Sequence, residues 1–92
     1  SKRNAKKDIN YLTYEVVADC YIYLHLYPEK SEKEVLKLAD ETLDLRDKLI
    51  HKVNHPEGEN RKEIKSHFRG IYDELIQSAD NTLKKLSELT QK

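Results

Sequence analysis

Two short breaks enclose a long amphipathic segment in residues 27–60, YPEKSEKEVLKLADETLDLRDKLIHKVNHPEGEN. Pro28 disfavours the helical conformation of the residue before it, so any preceding helix ends at about residue 27. Pro56 and Gly58 interrupt the chain a second time. Because the segment between the breaks has a helical repeat of apolar residues, the sequence divides into three helical parts.

Both breaks are followed by a pattern that typically starts a helix. Ser31 and Glu34 form the S-x-x-E pattern of a capping box, in which the serine hydroxyl accepts a hydrogen bond from the backbone of the first turn. Asn60, with Glu63 three residues later, provides a start of the same kind. We therefore predict that a second and a third helix begin at these two points.

The predicted second helix, about residues 32–54, and the predicted third helix, about residues 60–90, each carry one apolar stripe. The stripe of the second helix consists of Val35, Leu38, Ala39, Thr42, Leu45, Leu49, Ile50 and Val53. The stripe of the third consists of Ile64, Phe68, Ile71, Leu75, Ala79, Thr82, Leu86 and Leu89. Charged residues occupy the opposite sides, so each helix is expected to bury one face.

The part before the first break, about residues 4–27, could be a strand or a helix. Its stretch CYIYLHLY, residues 20–27, alternates and is rich in strand-forming residues. A strand needs a partner, however, and no other segment resembles one. The part also carries a helical stripe of Ile9, Leu12, Val16, Cys20, Tyr23 and Tyr27. We therefore predict an all-α, antiparallel up-down-up three-helix bundle that forms a single domain, residues 1–92.

The composition argues against several classes of protein. The chain contains 17 lysines and arginines against 17 aspartates and glutamates, so it lacks the long-range field that attracts nucleic acid or an anionic membrane. No signal-peptide pattern and no run long enough to cross a bilayer are present, and we expect a cytoplasmic protein with no membrane partner. The one cysteine, Cys20, lies in an apolar stretch and is expected to be a buried thiol.

The predicted first helix has more apolar surface than two neighbouring helices can cover. Outside its core stripe, a second set of apolar residues falls on one side of the helix: Tyr11, Tyr14, Ala18, Tyr21 and Ile22. Tyrosine is favoured at recognition surfaces because it combines a large apolar ring with a polar hydroxyl. We predict that this side binds a second copy of the chain, as a homodimer, or a helical protein partner. The alternative is that the first helix packs between the other two and buries both sides.

The third helix is predicted to be longer than the other two, so its carboxyl-terminal residues should extend beyond them. Leu86 and Leu89 nevertheless continue the apolar stripe there. The end could fold over the first loop and Tyr27, fray, or be covered by another chain. We include Leu86 and Leu89 among the predicted interface residues.

Arg46 lies within the apolar face of the second helix. An unpaired buried guanidinium is costly, so Arg46 must reach solvent or find a partner. The residues expected at the same height in the bundle are Asn10, Tyr14, Glu15, Glu63 and His67. We predict a buried, structural ion pair between Arg46 and Glu15.

The sequence does not support catalysis. His51 and His55 have the spacing of zinc ligands, but Lys52 replaces the glutamate that follows the first histidine in zinc proteases. A cationic histidine near the end of a helix is explained by the helix dipole alone. The chain has no Glu-x-x-His motif of di-iron bundles and too few glycines for a phosphate-binding loop. We expect no enzyme, cofactor or metal site.

The leading hypothesis is therefore a non-catalytic helical interaction or structural protein that acts through its first helix. The alternative is a nucleic-acid-binding accessory protein, whose affinity would fall steeply as salt rises. Its cations would be Lys2, Arg3, Lys6 and Lys7 of the amino-terminal segment and Arg61, Lys62, Lys65 and Arg69 of a second basic patch.

Overall fold

The computed structural model describes residues 1–90 and contains three helices. Helix α1 spans Lys2–Leu26, α2 spans Glu32–Asn54 and α3 spans Arg61–Thr90. No strand occurs within residues 1–90, so the helical interpretation of the first part is confirmed. Each helix packs against both others, with α1 and α3 parallel and α2 antiparallel to them, which confirms the predicted bundle. The bundle measures 51 × 19 × 16 Å, and no described helix is both long and apolar enough to cross a membrane.

The two predicted helix starts have different outcomes. Asn60 caps α3 as predicted, because its Oδ1 accepts from the backbone N–H of Glu63 at 2.9 Å and its Nδ2 donates to the Glu63 carboxylate at 3.3 Å. Ser31 makes no side-chain cap hydrogen bond, so the predicted capping box with Glu34 is wrong. A capping serine needs an extended backbone, whereas Ser31 has φ 58°, in the left-handed region.

The core consists of two apolar clusters. The cluster near the amino-terminal end of α1 contains Ala5, Ile9, Leu49, Val53, Ile71 and Leu75. The cluster at the other end contains Cys20, Tyr23, Val35, Leu38, Ala39 and Leu86. Buried threonines lie between them, and the hydroxyls of Thr13 and Thr42 donate to backbone carbonyls one turn earlier, at 2.7 and 2.8 Å. These two hydroxyls are therefore satisfied within their own helices.

The chain itself covers the carboxyl-terminal end of α3. Leu86 is 7% exposed and belongs to the second core cluster, and Leu89 packs against the same cluster. Leu89 is half-buried, and its assignment to an interface stays a prediction. Leu86 lies in the core of the single chain, so its assignment to an interface is wrong. The reason is the register between the helices: Phe68, in the second turn of α3, packs beside Ala5 at the start of α1. The extra length of α3 thus lies at its amino-terminal end.

Candidate functional site

The five apolar residues predicted to lie outside the core of α1 form one exposed strip. We call this strip the tyrosine face, and it consists of Tyr11, Tyr14, Ala18, Tyr21 and Ile22. The exposed fractions are 69% for Tyr11, 51% for Tyr14, 55% for Tyr21 and 56% for Ile22, and Ala18 is also exposed. The opposite side of α1 fills the core. Within a single chain α1 therefore does not bury both sides, and the role of the tyrosine face as an interface stays a prediction.

The tyrosine face is large for a chain of this size. At roughly 200 Å² for a whole tyrosine side chain, its three tyrosines expose roughly 350 Å². Monomeric proteins rarely expose a contiguous apolar patch larger than a few hundred Å², and larger patches typically mark binding surfaces. The area of the tyrosine face is comparable to the largest patch on a typical monomer, roughly 300–600 Å², and such patches are often functional.

Arg46 of α2 lies at one edge of the tyrosine face. Its Nε donates to Asn10 Oδ1 at 2.7 Å, and its Nη1 forms an ion pair with Asp47 at 2.7 Å. Its Cζ is 5.5 Å from the centre of the Tyr14 ring, within the range of a cation–π attraction. Because Arg46 is held from two other directions, it also restricts the position of the Tyr14 ring.

The predicted ion pair between Arg46 and Glu15 is wrong. Glu15 is exposed and follows Asp8 by two helical turns, so both carboxylates lie on the same side of α1. That side adjoins α3, because Asp8 accepts a hydrogen bond from the Tyr72 hydroxyl. Arg46 instead meets Asn10, which lies on the side of α1 next to α2. Asn10 and Tyr14 of α1 lie at the height of Arg46 as predicted. His67 of α3 does not, because it contacts Lys52, nearer the end of α2.

An apolar groove between α1 and α3 continues the tyrosine face at its carboxyl-terminal end. It has a volume of about 300 Å³ and is lined by Asp19, Ile22, Tyr23, Leu26, Tyr27, Leu86, Ser87 and Thr90. Leu26 and Tyr27 are both exposed. Leu26 is not among the predicted residues, because it lies on neither apolar side of α1 and only the packing of α3 beside it creates the groove.

The histidines at the end of α2 have structural contacts. The rings of His51 and His55 are stacked, with centres 4.2 Å apart. His55 Nδ1 lies 2.9 Å from the carbonyl of His51, and Nε2 of His67 in α3 lies 2.8 Å from that of Lys52. The His51 carbonyl also accepts the backbone N–H of His55 at 3.0 Å. The Lys52 carbonyl has no such partner because Pro56, four residues later, lacks an N–H, so the His67 ring supplies the hydrogen bond that the last turn of α2 leaves open. Within residues 1–90, no three histidine, cysteine or acidic side chains converge as metal ligands.

Raised pKa values favour the neutral forms of two side chains, the Cys20 thiol and the Tyr72 phenol. Burial, and to a smaller extent the nearby Asp19, raises the pKa of the Cys20 thiol, which opposes formation of a reactive thiolate. The hydrogen bond to Asp8 raises the pKa of Tyr72 to about 12. Neither shift produces a nucleophile or a base at neutral pH.

Glu74 of α3 joins two lysines of α2. Partial burial raises the pKa of its carboxyl, but hydrogen bonds from Lys48 at 3.0 Å and Lys52 at 3.1 Å outweigh burial and lower it. Glu74 therefore forms a charged contact between α2 and α3, which no sequence pattern predicts because the partners come from different helices.

The two basic patches lie at the same end of the bundle. Lys2 lines a groove of about 360 Å³ together with Ile64, Phe68 and Tyr72 of α3. The start of α1 and the start of α3 are neighbours because these helices are parallel. The sequence alone did not reveal this juxtaposition, since the two patches are far apart in the chain.

The chain has no match among protein-family models, and the comparisons with curated proteins and with solved structures likewise give none.

Proposed function

We propose that the chain is a non-catalytic helical interaction protein that binds a protein partner through the tyrosine face, the simplest partner being a second copy of itself. The observation that carries this proposal is a row of three tyrosines and Ile22, each more than half exposed, on a helix whose other side fills the core. Burying such a surface gains roughly 25 cal/mol per Å² of apolar area.

The edge of the tyrosine face also supports the proposal. Tyrosine and arginine are enriched among the residues that dominate binding energies at protein interfaces. Tyr14 and Arg46 already contact each other, so part of the binding surface is ordered before a partner arrives. Less conformational entropy is then lost on binding.

Sedimentation velocity over a micromolar concentration series tests self-association. We expect the native 10.9 kDa chain to sediment at a mass above that of the monomer. The double variant Tyr14→Glu plus Tyr21→Glu should sediment as a monomer, because the new carboxylates would lose their hydration in the contact. The matched control is Ile76→Glu plus Leu83→Glu, which places the same charges on exposed apolar positions of α3. A monomeric native chain, whose mass the tyrosine substitutions leave unchanged, would refute self-association.

We retain nucleic-acid binding as a second candidate, because the basic patches of α1 and α3 lie at the same end of the bundle. The half-buried rings of Phe68 and Tyr72 line a groove at this end together with Lys2, and an aromatic surface beside cations is typical of nucleic-acid-binding proteins. A gel shift with mixed RNA and DNA at low salt tests this candidate. Binding that weakens steeply with salt and disappears in Lys65→Glu plus Arg69→Glu would support it, and the absence of a shift would refute it.

A further inference from the structure

The tyrosine face has the spacing of a coiled-coil seam. A series of exposed residues follows α1 at alternating intervals of three and four: Lys7, Tyr11, Tyr14, Ala18, Tyr21 and His25. This spacing keeps one line of side chains directed at a second helix over several turns. The tyrosine face is therefore suited to a straight helix of about its own length.

The two ends of the bundle carry opposite charge. Residues 1–8, at the start of α1, contain four cations and one carboxylate. Residues 15–34, which comprise the second half of α1, the first loop and the start of α2, contain two lysines and five carboxylates, of which Glu15 and Asp19 lie in α1 itself. A parallel partner helix with the same sequence would place the two basic ends together. An antiparallel partner would place the basic end of each copy beside the acidic end of the other and would also pair opposite helix dipoles.

We propose that the partner on the tyrosine face is a second copy of this chain, with the two α1 helices antiparallel. This inference rests on the proposed function. In an antiparallel seam of this spacing, Tyr11 of each copy lies opposite Tyr21 of the other. Tyr14 then lies opposite Ala18, whose small side chain leaves room for the ring. The same register places the ends of the seam, Lys7 and His25, opposite each other.

The apolar groove between α1 and α3 fits this arrangement. In a two-fold antiparallel pair, the side of α1 that adjoins α3 meets the same side of the other copy. Tyr11 of one copy is then directed at Ile22 and the exposed Leu26 at the edge of the groove of the other copy. A stable interface buries roughly 800 Å² per partner, and the three tyrosines supply a little under half of that area. The groove and the charged ends provide the additional contacts.

Disulfide trapping with Lys7→Cys and His25→Cys tests the direction of the pair. The native thiol, Cys20, is buried, so the native chain is the background control. When the two variants are mixed and mildly oxidised, we expect the disulfide between positions 7 and 25 to be about five times as abundant as either like-with-like disulfide, because a disulfide requires Cα atoms within about 7 Å. Mass spectrometry of the linked peptides measures the three products. Sedimentation under reducing conditions verifies that both variants associate like the native chain.

The outcomes separate this inference from the proposed function. Disulfides that join 7 to 7 and 25 to 25, in a chain that self-associates, would overturn the antiparallel arrangement and leave the proposed function intact. A self-associating chain that forms none of the three disulfides would place the contact elsewhere on the surface and overturn the arrangement as well. A native chain that stays monomeric would overturn both the antiparallel pair and the proposed self-association.

Discussion

One hydrogen bond joins the surfaces of α1 and α3 and depends on the protonation of a phenol. The Tyr72 hydroxyl donates to Asp8 at 2.6 Å, and this contact raises the pKa of Tyr72 from 10 to about 12. Because the folded chain holds this proton more tightly than the unfolded chain, the contact contributes its full stability below pH 10. The contribution is lost as pH rises from 10 to about 12.

We expect Tyr72→Phe to remove the component of the tyrosinate absorbance titration near pH 12. Between pH 10 and 12 the stability of the native chain to urea should also fall more than that of the variant. Asp8→Asn removes the charge while preserving the shape of the side chain, so it should lower the pKa of Tyr72 and shift its part of the absorbance titration to lower pH. A component near pH 12 that persists unchanged in Tyr72→Phe would contradict the assignment.

The two glycines differ in whether the structure leaves room for a larger residue. At Gly70, within α3, an added Cβ would have no neighbour within 4 Å. At Gly58, φ is +135° and an added Cβ would lie 2.8 Å from the Cβ of Glu63. We expect Gly70→Ala to raise the free energy of unfolding by roughly 0.5–1 kcal/mol and Gly58→Ala to lower it by about 1 kcal/mol or more. Urea unfolding measures both, and a destabilised Gly70→Ala variant would show that the helix does not run freely past residue 70.

At the scale of the helices, the ends that proline imposes were predictable from the sequence, but the backbone conformation of the capping residues was not. The end of α1 follows from Pro28 and the end of α2 from Pro56, because each proline restricts the residue before it whatever the tertiary structure. The S-x-x-E pattern at Ser31 failed because capping also requires an extended backbone at the serine. Asn60 succeeded because its backbone allows both contacts with Glu63.

The register between helices is the second property that the sequence did not determine. An apolar stripe identifies the face that a helix buries, but it does not fix how far the helix shifts along its neighbour. That shift decided the outcome for Leu86, which lies in the core rather than beyond it. It also left several residues near Arg46 as candidate partners, and the structure selects Asn10 rather than Glu15. The grouping of the tyrosine face on one side of α1 was predictable from the helical period alone, whereas its exposure depended on where α2 and α3 pack.

Leu86 and Leu83 provide a matched test of the register of α3. They are three residues apart, but Leu86 is 7% exposed and Leu83 is 40% exposed. We expect Leu86→Ala to lower the free energy of unfolding by about 2–4 kcal/mol, because it leaves a cavity in the second core cluster. Leu83→Ala should lower it by less than about 1 kcal/mol. Equally small decreases in the free energy of urea unfolding for the two variants would contradict this register and show that Leu86 lies at the surface.

The whole molecule is electrically neutral but not uniform. Balanced totals suggested a chain with little electrostatic attraction, yet parallel packing of α1 and α3 gathers two basic patches at one end of a 51 Å bundle. The acidic residues of the first loop and the start of α2 lie at the other end. A neutral protein whose basic and acidic residues lie at opposite ends attracts an antiparallel copy of itself at short range. It has no net charge that would act over a longer distance.

This charge separation predicts how self-association responds to salt. Raising sodium chloride from 50 to 500 mM shortens the screening length from roughly 14 Å to roughly 4 Å, so we expect the dimer Kd to rise roughly three- to tenfold while the tyrosine contact persists. Arg3→Gln plus Lys7→Gln should weaken the dimer at low salt and flatten its salt dependence. Arg3→Glu plus Lys7→Glu should reverse the trend, because screening would then relieve repulsion between two acidic ends. Sedimentation equilibrium across the salt series measures all three chains. A native dimer that tightens as salt rises would contradict the predicted attraction between the basic end of one copy and the acidic end of the other.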